Sequence, residues 1–196
     1  NIPVMFLEDT TGFLPGREQE HRGIVQAGRA MLDSIVDLRT PRFLILIRNA
    51  FGGAYASYNN YPTGADLVVA LPTTRVAVMG PAGVEYVYKD ELKAIRAGIP
   101  KRTADRKAEL MKRGVSDTDA DDQASAAASE WAKAAEADLA KRYEREIMNP
   151  EEALSLGSVS QIVMPSDLRA VIAKHLMFCL RHYTPEPMGG VQREFH

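Results

Sequence analysis

The sequence predicts an α/β fold, and two kinds of segment in the first half of the chain carry this prediction. Residues 2–7 and 43–47 are continuous apolar runs of strand length, without the polar alternation of a half-exposed strand. Between them, apolar residues recur at intervals of three and four over residues 18–36, which indicates a helix with one buried face. Strands that alternate with helices favour a parallel sheet with right-handed crossovers.

Shorter segments continue this alternation to the end of the chain. Asn149 is a good N-cap and Pro150 suits the first turn of a helix, so a new helix is predicted at this point. The other predicted elements are strands at residues 66–71, 75–79 and 160–164, a short helix after residue 51, and helices after Pro81 and Pro165.

Residues 97–148 differ in composition from the rest and predict a long helical insertion. Residues 101–113 are strongly basic, four aspartates follow, and an alanine-rich helix is expected from about Ala124. Two interpretations stay open: a helical excursion with solvated charges, or a basic docking surface. We expect an extended tail at residues 184–196. On the alanine-rich helix, a spacing of four residues predicts a single stripe of Trp131, Ala135, Leu139, Tyr143 and Ile147.

Composition excludes several classes of protein. The 196 residues are 45% hydrophobic and 26% charged with a net charge of −2, so there is no overall field for nucleic acid or an anionic membrane. One cysteine, Cys179, makes neither an intrachain disulfide nor a zinc site, and a cytoplasmic location is expected. Because Asn1 stands almost at the start of a predicted strand, we expect that earlier strands of the domain lie outside this sequence.

The strongest candidate for chemistry is the pair of glycines directly after the second buried strand. The amides of Gly53 and Ala54 would lie at the start of a helix, where backbone donors lack partners and can stabilise an oxyanion. A tight turn that needs glycine only for steric reasons explains the same residues, and both interpretations stay open. A second glycine loop with Gly12 and Phe13 follows the first strand, so both loops should face one crevice.

Other reactive side chains carry weaker predictions. Glu8 and Asp9 end a strand, so either could act as a general base or, as we prefer, as a helix cap or ion-pair partner. Ser57 has no histidine and carboxylate close in sequence to form a triad. No His or Cys pair has the spacing of metal ligands, so no metal is predicted.

Four motifs occur in a fixed order along the chain: Glu8-Asp-Thr-Thr-Gly-Phe-Leu-Pro-Gly, Arg48-Asn-Ala-Phe-Gly-Gly-Ala-Tyr, Leu71-Pro-Thr-Thr-Arg-Val-Ala-Val-Met-Gly-Pro and Asn149-Pro-Glu-Glu-Ala. Together they resemble the carboxyltransferase (β) subunit of biotin-dependent acyl-CoA carboxylases, over residues 1–95 and 147–180. The resemblance implies a crotonase-like (ClpP/crotonase) spiral of ββα units. It also implies that residues 1–196 are a C-terminal carboxyltransferase domain, incomplete at its N-terminus.

The resemblance assigns roles to seven residues. It implies that the amides of Gly53 and Ala54 hold the ureido oxygen of biotin and stabilise its enolate, and that Ala56 helps to define the acyl pocket. The remaining residues of the expected biotin site are Gly12, Phe13, Gly52 and Tyr55. Asn49 departs from the family, which often has Lys at this position.

The resemblance also implies the reaction and the partners. A carboxyl group would pass between carboxybiotin, carried on a partner domain, and the α-carbon of an acyl-CoA that the sequence does not specify. Expected partners are an N-terminal carboxyltransferase domain or chain and the biotin carboxylase and biotin carrier subunits, in a hexameric assembly. A biotin-linked acyl-CoA decarboxylase subunit and a non-catalytic assembly half are the alternatives.

Overall fold

The computed structural model describes residues 2–185, which divide into two compact units. Among the described residues, the first unit comprises residues 2–80 and 148–185, and the second is Pro81–Ile147. Residues 186–196, which form most of the predicted tail, lie outside the described residues. In chain order the elements are β1 (Val4–Thr10), α1 (Arg17–His21), α2 (Ile24–Val36), β2 (Arg42–Phe51), α3 (Gly52–Ser57), β3 (Leu67–Ala70), β4 (Arg75–Ala77), α4 (Val84–Val87), α5 (Lys89–Lys112), α6 (Asp117–Glu146), α7 (Pro150–Ser155), β5 (Gln161–Ile162) and α8 (Leu168–His182).

The first unit is built on a five-stranded, all-parallel sheet. Its strand order is β1-β2-β3-β5, and β4 pairs with the second half of β2. The apolar runs of β2 and β3 lie in the middle, where their alternating residues pack into cores on both faces of the sheet. The predicted parallel α/β architecture is therefore confirmed.

The first predicted strand differs from its expected environment. Residues 2–7 read as a strand buried on both faces, but Met5 is 49% exposed and Leu7 is 62% exposed. β1 is at the end of the sheet and pairs only with β2, so only its inward-facing residues, such as Phe6, reach the core. Burial on both faces is therefore wrong for β1 among the described residues.

The helix predicted over residues 18–36 is divided in two. Gly23 adopts a left-handed conformation with φ of 80°, which ends α1 and begins α2. The predicted apolar face of α2 is only partly inward: Ile35 is buried, whereas Val25 is 70% exposed and Val36 is 47% exposed. At the other end of the chain, Cys179 packs partly buried against the core on one face of the sheet.

The second unit contains an antiparallel pair of long helices, α5 and α6. The helical region begins at Lys89, earlier than the predicted residue 97, and α6 begins at Asp117, earlier than the predicted Ala124. The Ser116 side chain caps α6 by accepting a hydrogen bond from the Asp119 amide, and Asp117 and Asp119 suit the positive end of this helix. The aspartate run therefore starts the helix.

The buried stripe of α6 is shifted from the predicted one. Only Tyr143 of the predicted stripe is fully buried, and Trp131 is half-buried beside Gly98. Oppositely charged residues of the two helices meet, as where the Lys107 ammonium lies 3.1 Å from Asp117 and 3.0 Å from Asp121. The buried alanines of the stripe are Ala120, Ala124, Ala128 and Ala132.

Candidate functional site

The two glycine loops meet at the carboxyl edge of the parallel sheet. β1 and β2 are adjacent and parallel, so the loop after β1 and the start of α3 after β2 leave the sheet on the same side. The aromatic ring of Phe13 lies against Gly53, where an added Cβ would be 3.5 Å from Cε2. Gly12 has φ of 111°, and a Cβ at this position would be 3.8 Å from the Phe51 carbonyl oxygen. The structure thus brings Gly12, Phe13 and Gly53 together, as predicted from strand order.

Gly52 makes the sharp turn from β2 into α3. Phe51 is extended, whereas Gly52 has φ of 62°, which favours glycine. A Cβ at Gly52 would also lie only 3.0 Å from the Val78 carbonyl oxygen. The steric interpretation of the two glycines therefore applies to Gly52.

Gly53 is in a different situation. It lacks a positive φ, it is exposed, and an added Cβ would make only ordinary contact with the Phe13 ring. Its amide and that of Ala54 belong to the first turn of α3, where N–H groups have no acceptor within the helix. Two adjacent backbone donors therefore lie where the two loops meet, on the exposed Gly53 and the buried Ala54.

The side chains that follow Gly53 point in different directions. The methyl group of Ala54 is buried, whereas Ala56 is exposed. The Tyr55 ring packs against the core of the first unit, and its hydroxyl donates a hydrogen bond to the Ser158 carbonyl oxygen at 3.4 Å. The structure does not bring the Tyr55 ring to the Phe13–Gly53 contact.

Asp9 ties β1 to the irregular part of β2. Its carboxylate pairs with Arg48 at 2.8 Å and accepts hydrogen bonds from the backbone and side-chain nitrogens of Asn49, both at 3.2 Å. The sheet register shifts between Glu8 and Thr10, which places Arg48 and Asn49 within reach. The hydrogen bond from Arg48 lowers the pKa of Asp9. The predicted ion-pairing role is therefore confirmed for Asp9.

Glu8 neither caps a helix nor forms an ion pair, so the preferred prediction for this residue is wrong. It is 1% exposed, and neither carboxylate oxygen has a hydrogen-bond partner among the described residues. Burial raises the pKa of Glu8 to about 8. The alternation of β1 contained the signal, because Glu8 is two residues after the inward-facing Phe6.

The remaining reactive side chains of residues 2–185 do not form a second candidate catalytic or metal site. The Ser57 hydroxyl donates to the Gly53 carbonyl oxygen at 2.8 Å, which fixes the first turn of α3. Among residues 2–185, no three His, Cys, Asp or Glu side chains are grouped to hold a metal ion. No helix in this part of the chain combines the length and apolar character needed to cross a membrane.

Known structures show that this arrangement is a recurrent one. A transcarboxylase 12S structure, solved as a hexamer with methylmalonyl-coenzyme A and methylmalonic acid bound, superimposes with a TM-score of 0.70 at 27% identity. The match covers 98% of this chain and 31% of that chain. The crotonase-like fold predicted from the motifs is thereby confirmed, which places the chain in the class of crotonase-like proteins.

Sequence comparisons identify the family within this class. The carboxyl transferase domain family matches residues 1–186, so the chain belongs to this family. The biotin-dependent acetyl-/propionyl-coenzyme A carboxylase beta5 subunit of Mycobacterium leprae (strain TN) is 31% identical over 195 residues, 97% of this chain. The methylmalonyl-CoA decarboxylase subunit alpha of Propionigenium modestum is 40% identical over 94 residues, covering 47% of this chain and 18% of that subunit. This chain spans 30% of the length of the Mycobacterium leprae subunit.

Proposed function

We propose that this chain supplies part of a site that transfers a carboxyl group between carboxybiotin and the α-carbon of an acyl-CoA. Membership of the carboxyl transferase family over residues 1–186 supports the reaction class. The observation that carries the proposal is the first turn of α3, where the exposed Gly53 lies beside Phe13 and its amide is followed by that of Ala54. Backbone donors of this kind stabilise an oxygen that gains negative charge during a reaction.

The residues at this surface fit the ureido group of biotin. A ureido oxygen requires hydrogen-bond donors, which the first amides of α3 supply, and Gly53 has no side chain to obstruct an approaching ring. The partly exposed Phe13 ring offers an apolar surface beside these donors. In the proposal, Gly12 and Gly52 shape the two loops and Ala56 borders the acyl group. Tyr55 anchors α3 through its ring, which packs on the core.

Bound biotin would supply the carboxyl group and an oxygen that becomes negative when this group leaves. The contribution of this chain is to hold that oxygen with the Gly53 and Ala54 amides. Such a donor is worth about 3–4 kcal/mol in the transition state, or roughly 10²- to 10³-fold in kcat. The proposed mechanism thus needs no nucleophilic side chain, and Ser57 keeps its hydroxyl on the Gly53 carbonyl oxygen.

The proposal includes further protein parts. Residues 1–196 would act as a C-terminal carboxyltransferase domain, together with an N-terminal carboxyltransferase half. Biotin carboxylase and biotin carrier subunits would complete an oligomeric cytoplasmic enzyme. The Mycobacterium leprae relative, which is the subunit of a biotin-dependent carboxylase, and the hexameric transcarboxylase structure support this proposal.

A decarboxylase role is the second candidate, favoured by the 40% identity to the methylmalonyl-CoA decarboxylase subunit over 94 residues. In that role the same amides would serve transfer in the opposite direction, from a carboxylated acyl-CoA to biotin. Partners distinguish the two candidates: a biotin carboxylase that copurifies indicates the carboxylase, and an integral membrane partner indicates the decarboxylase.

The test uses the full-length protein that contains this chain. A biotin carrier loaded with ¹⁴C-carboxyl is mixed with acetyl-, propionyl-, butyryl- and longer acyl-CoA esters, and the reverse assay starts from labelled methylmalonyl-CoA. We expect label to move between the carrier and an acyl-CoA acid. If the protein moves no label in either direction across the panel, the proposal is wrong.

A further inference from the structure

Glu8 places a carboxyl group at a buried position of β1 that faces an apolar core. It lies opposite Leu46 in the sheet, two residues after Phe6, and faces the core that contains Leu44, Leu46 and Ala50. It is 1% exposed, and both of its oxygens are without a hydrogen-bond partner in residues 2–185. An unpaired, buried carboxylate costs several kcal/mol, so a purely structural residue at this position would be Leu or Val.

The position of Glu8 links it to the proposed donors of α3. α3 packs on β1, and the Tyr55 ring packs on the same core as Phe6. Burial raises the pKa of Tyr55 to about 12, and an ionised Glu8 would raise it further. Tyr55 follows Ala54 directly in the chain. A change at Glu8 that displaces Tyr55 therefore displaces the first turn of α3.

Within the part of the chain that the structure describes, burial is what shifts the pKa of Glu8, and no cation acts to stabilise its ionised form. Leu46, its partner in β2, is apolar, and burial raises the pKa of Glu8 to about 8. The arginines of β2 are engaged elsewhere: the Arg42 guanidinium donates to the Ile35 carbonyl oxygen, and Arg48 pairs with Asp9. The titratable side chains that pack on the same core from α3 and the turn after it are the phenols of Tyr55, Tyr58 and Tyr61.

We propose that Glu8 is a positioning residue that carries a proton at neutral pH and supports α3 through Tyr55, so that loss of this proton disturbs the Gly53 and Ala54 donors. The inference rests on the proposed function for its effect on turnover. It makes carboxyl transfer sensitive to alkaline pH through a group that touches neither substrate nor biotin. The ionised carboxylate would also place a negative charge near the surface where negative charge develops in the reaction.

Activity is measured in the full-length protein as the ratio of kcat/KM at pH 9 to kcat/KM at pH 7. For a group with a pKa of about 8, the protonated fraction falls about tenfold between pH 7 and pH 9. We therefore expect kcat/KM of the parent to be about tenfold lower at pH 9 than at pH 7. Glu8→Gln, which keeps the shape without the titration, should remove this drop. Glu8→Leu should also remove the drop in kcat/KM at pH 9, and it replaces Glu8→Gln in the test if the glutamine variant does not fold. Glu20→Gln, at an exposed glutamate of α1, should keep the parent ratio.

A second readout does not depend on turnover. Below pH 4.5 both folded and unfolded Glu8 are protonated, and above this value the unfolded state releases the proton first. Between about pH 4.5 and pH 8, the Tm of the parent should therefore decrease more than the Tm of Glu8→Gln or Glu8→Leu decreases. If the parent shows no such excess, Glu8 is not a buried acid and the inference is wrong. If the excess is present but the activity ratio is unchanged in the variants, the positioning role is wrong. Absence of transfer in every protein would instead contradict the proposed function, while the stability readout still decides the state of Glu8.

Discussion

The ring of Phe13 is held between Gly53 of α3 and Gly28 of α2. An added Cβ would lie 3.5 Å from the ring at Gly53 and 3.0 Å from it at Gly28, although Phe13 itself is 44% exposed. Glycine at both positions lets the ring approach the backbone closely. This contact brings the loop after β1 to the first turn of α3, and it gives the candidate site an apolar wall.

Truncation of this wall should weaken carboxyl transfer more than it weakens the fold. We expect Phe13→Ala to lower kcat/KM for the carboxylated carrier by at least about tenfold, since an apolar contact at a binding surface is worth roughly 1–3 kcal/mol. Steady-state kinetics on the full-length protein measure this effect. Leu14→Ala is the matched control, because Leu14 is the adjacent residue and is 63% exposed. Equal losses in the two variants would remove Phe13 from the site.

Replacement of Gly52 should reduce stability beyond the usual cost of a left-handed residue. Gly52→Ala places a Cβ 3.0 Å from the Val78 carbonyl oxygen at φ of 62°. Gly157→Ala is the control, with φ of 74° and no atom within 4 Å. The left-handed conformation costs both variants about 1–2 kcal/mol, and crowding should add at least about 1 kcal/mol for Gly52→Ala. Denaturant unfolding measures the difference, and equal costs would show that Val78 does not restrict this turn.

Bulk at Ala56 should change the choice of acyl group without a large cost in stability. Ala56 is exposed in the described chain, so a larger side chain does not overpack the core. We expect Ala56→Ile to penalise butyryl-CoA more than acetyl-CoA by about 10-fold or more, since one methylene in an apolar pocket is worth roughly 1–3 kcal/mol. The measurement compares kcat/KM for acetyl-, propionyl- and butyryl-CoA. Ala27→Ile, at an exposed position of α2, is the control. An unchanged ratio across the three esters would place Ala56 outside the acyl pocket.

Local sequence signals predicted the parts of the fold that depend on local chemistry. The apolar runs of β2 and β3 predicted central strands because no polar residue interrupts them, and the sheet buries both of their faces. Asn149 predicted the start of α7 because its side chain can accept from the Glu152 amide, as it does at 2.6 Å. The glycines after β2 predicted the turn at the candidate site because glycine tolerates a left-handed conformation, which Gly52 adopts.

Features that depend on distant neighbours were not accessible to local patterns. Met5 has the same apolar character as a buried strand residue, and its exposure follows from the terminal position of β1 in the sheet. The spacing of two residues from Phe6 places Glu8 on the inward face of β1, but the near-complete burial of its carboxyl group depends on distant elements that cover this face, such as α3. The alanines of α6 are too uniform to fix which stripe faces α5, so the predicted stripe at Trp131 was displaced.

The proposed function depends on the Gly53 amide, which should stabilise negative charge during carboxyl transfer. A pair of variants at Gly53 tests this role. Gly53→Pro removes this amide at a position in the first turn of α3, where proline is tolerated. Gly53→Ala keeps the amide and adds a Cβ at ordinary contact distance from Phe13. Size-exclusion chromatography and circular dichroism first establish that both full-length variants fold and assemble as the parent does.

The deciding measurement is kcat for carboxyl transfer in these two variants and the parent. We expect Gly53→Pro to lower kcat by at least about 100-fold, the cost of one oxyanion donor, while Gly53→Ala stays within a few-fold of the parent. A folded and assembled Gly53→Pro protein that keeps the parent kcat would show that the Gly53 amide does not stabilise the developing negative charge.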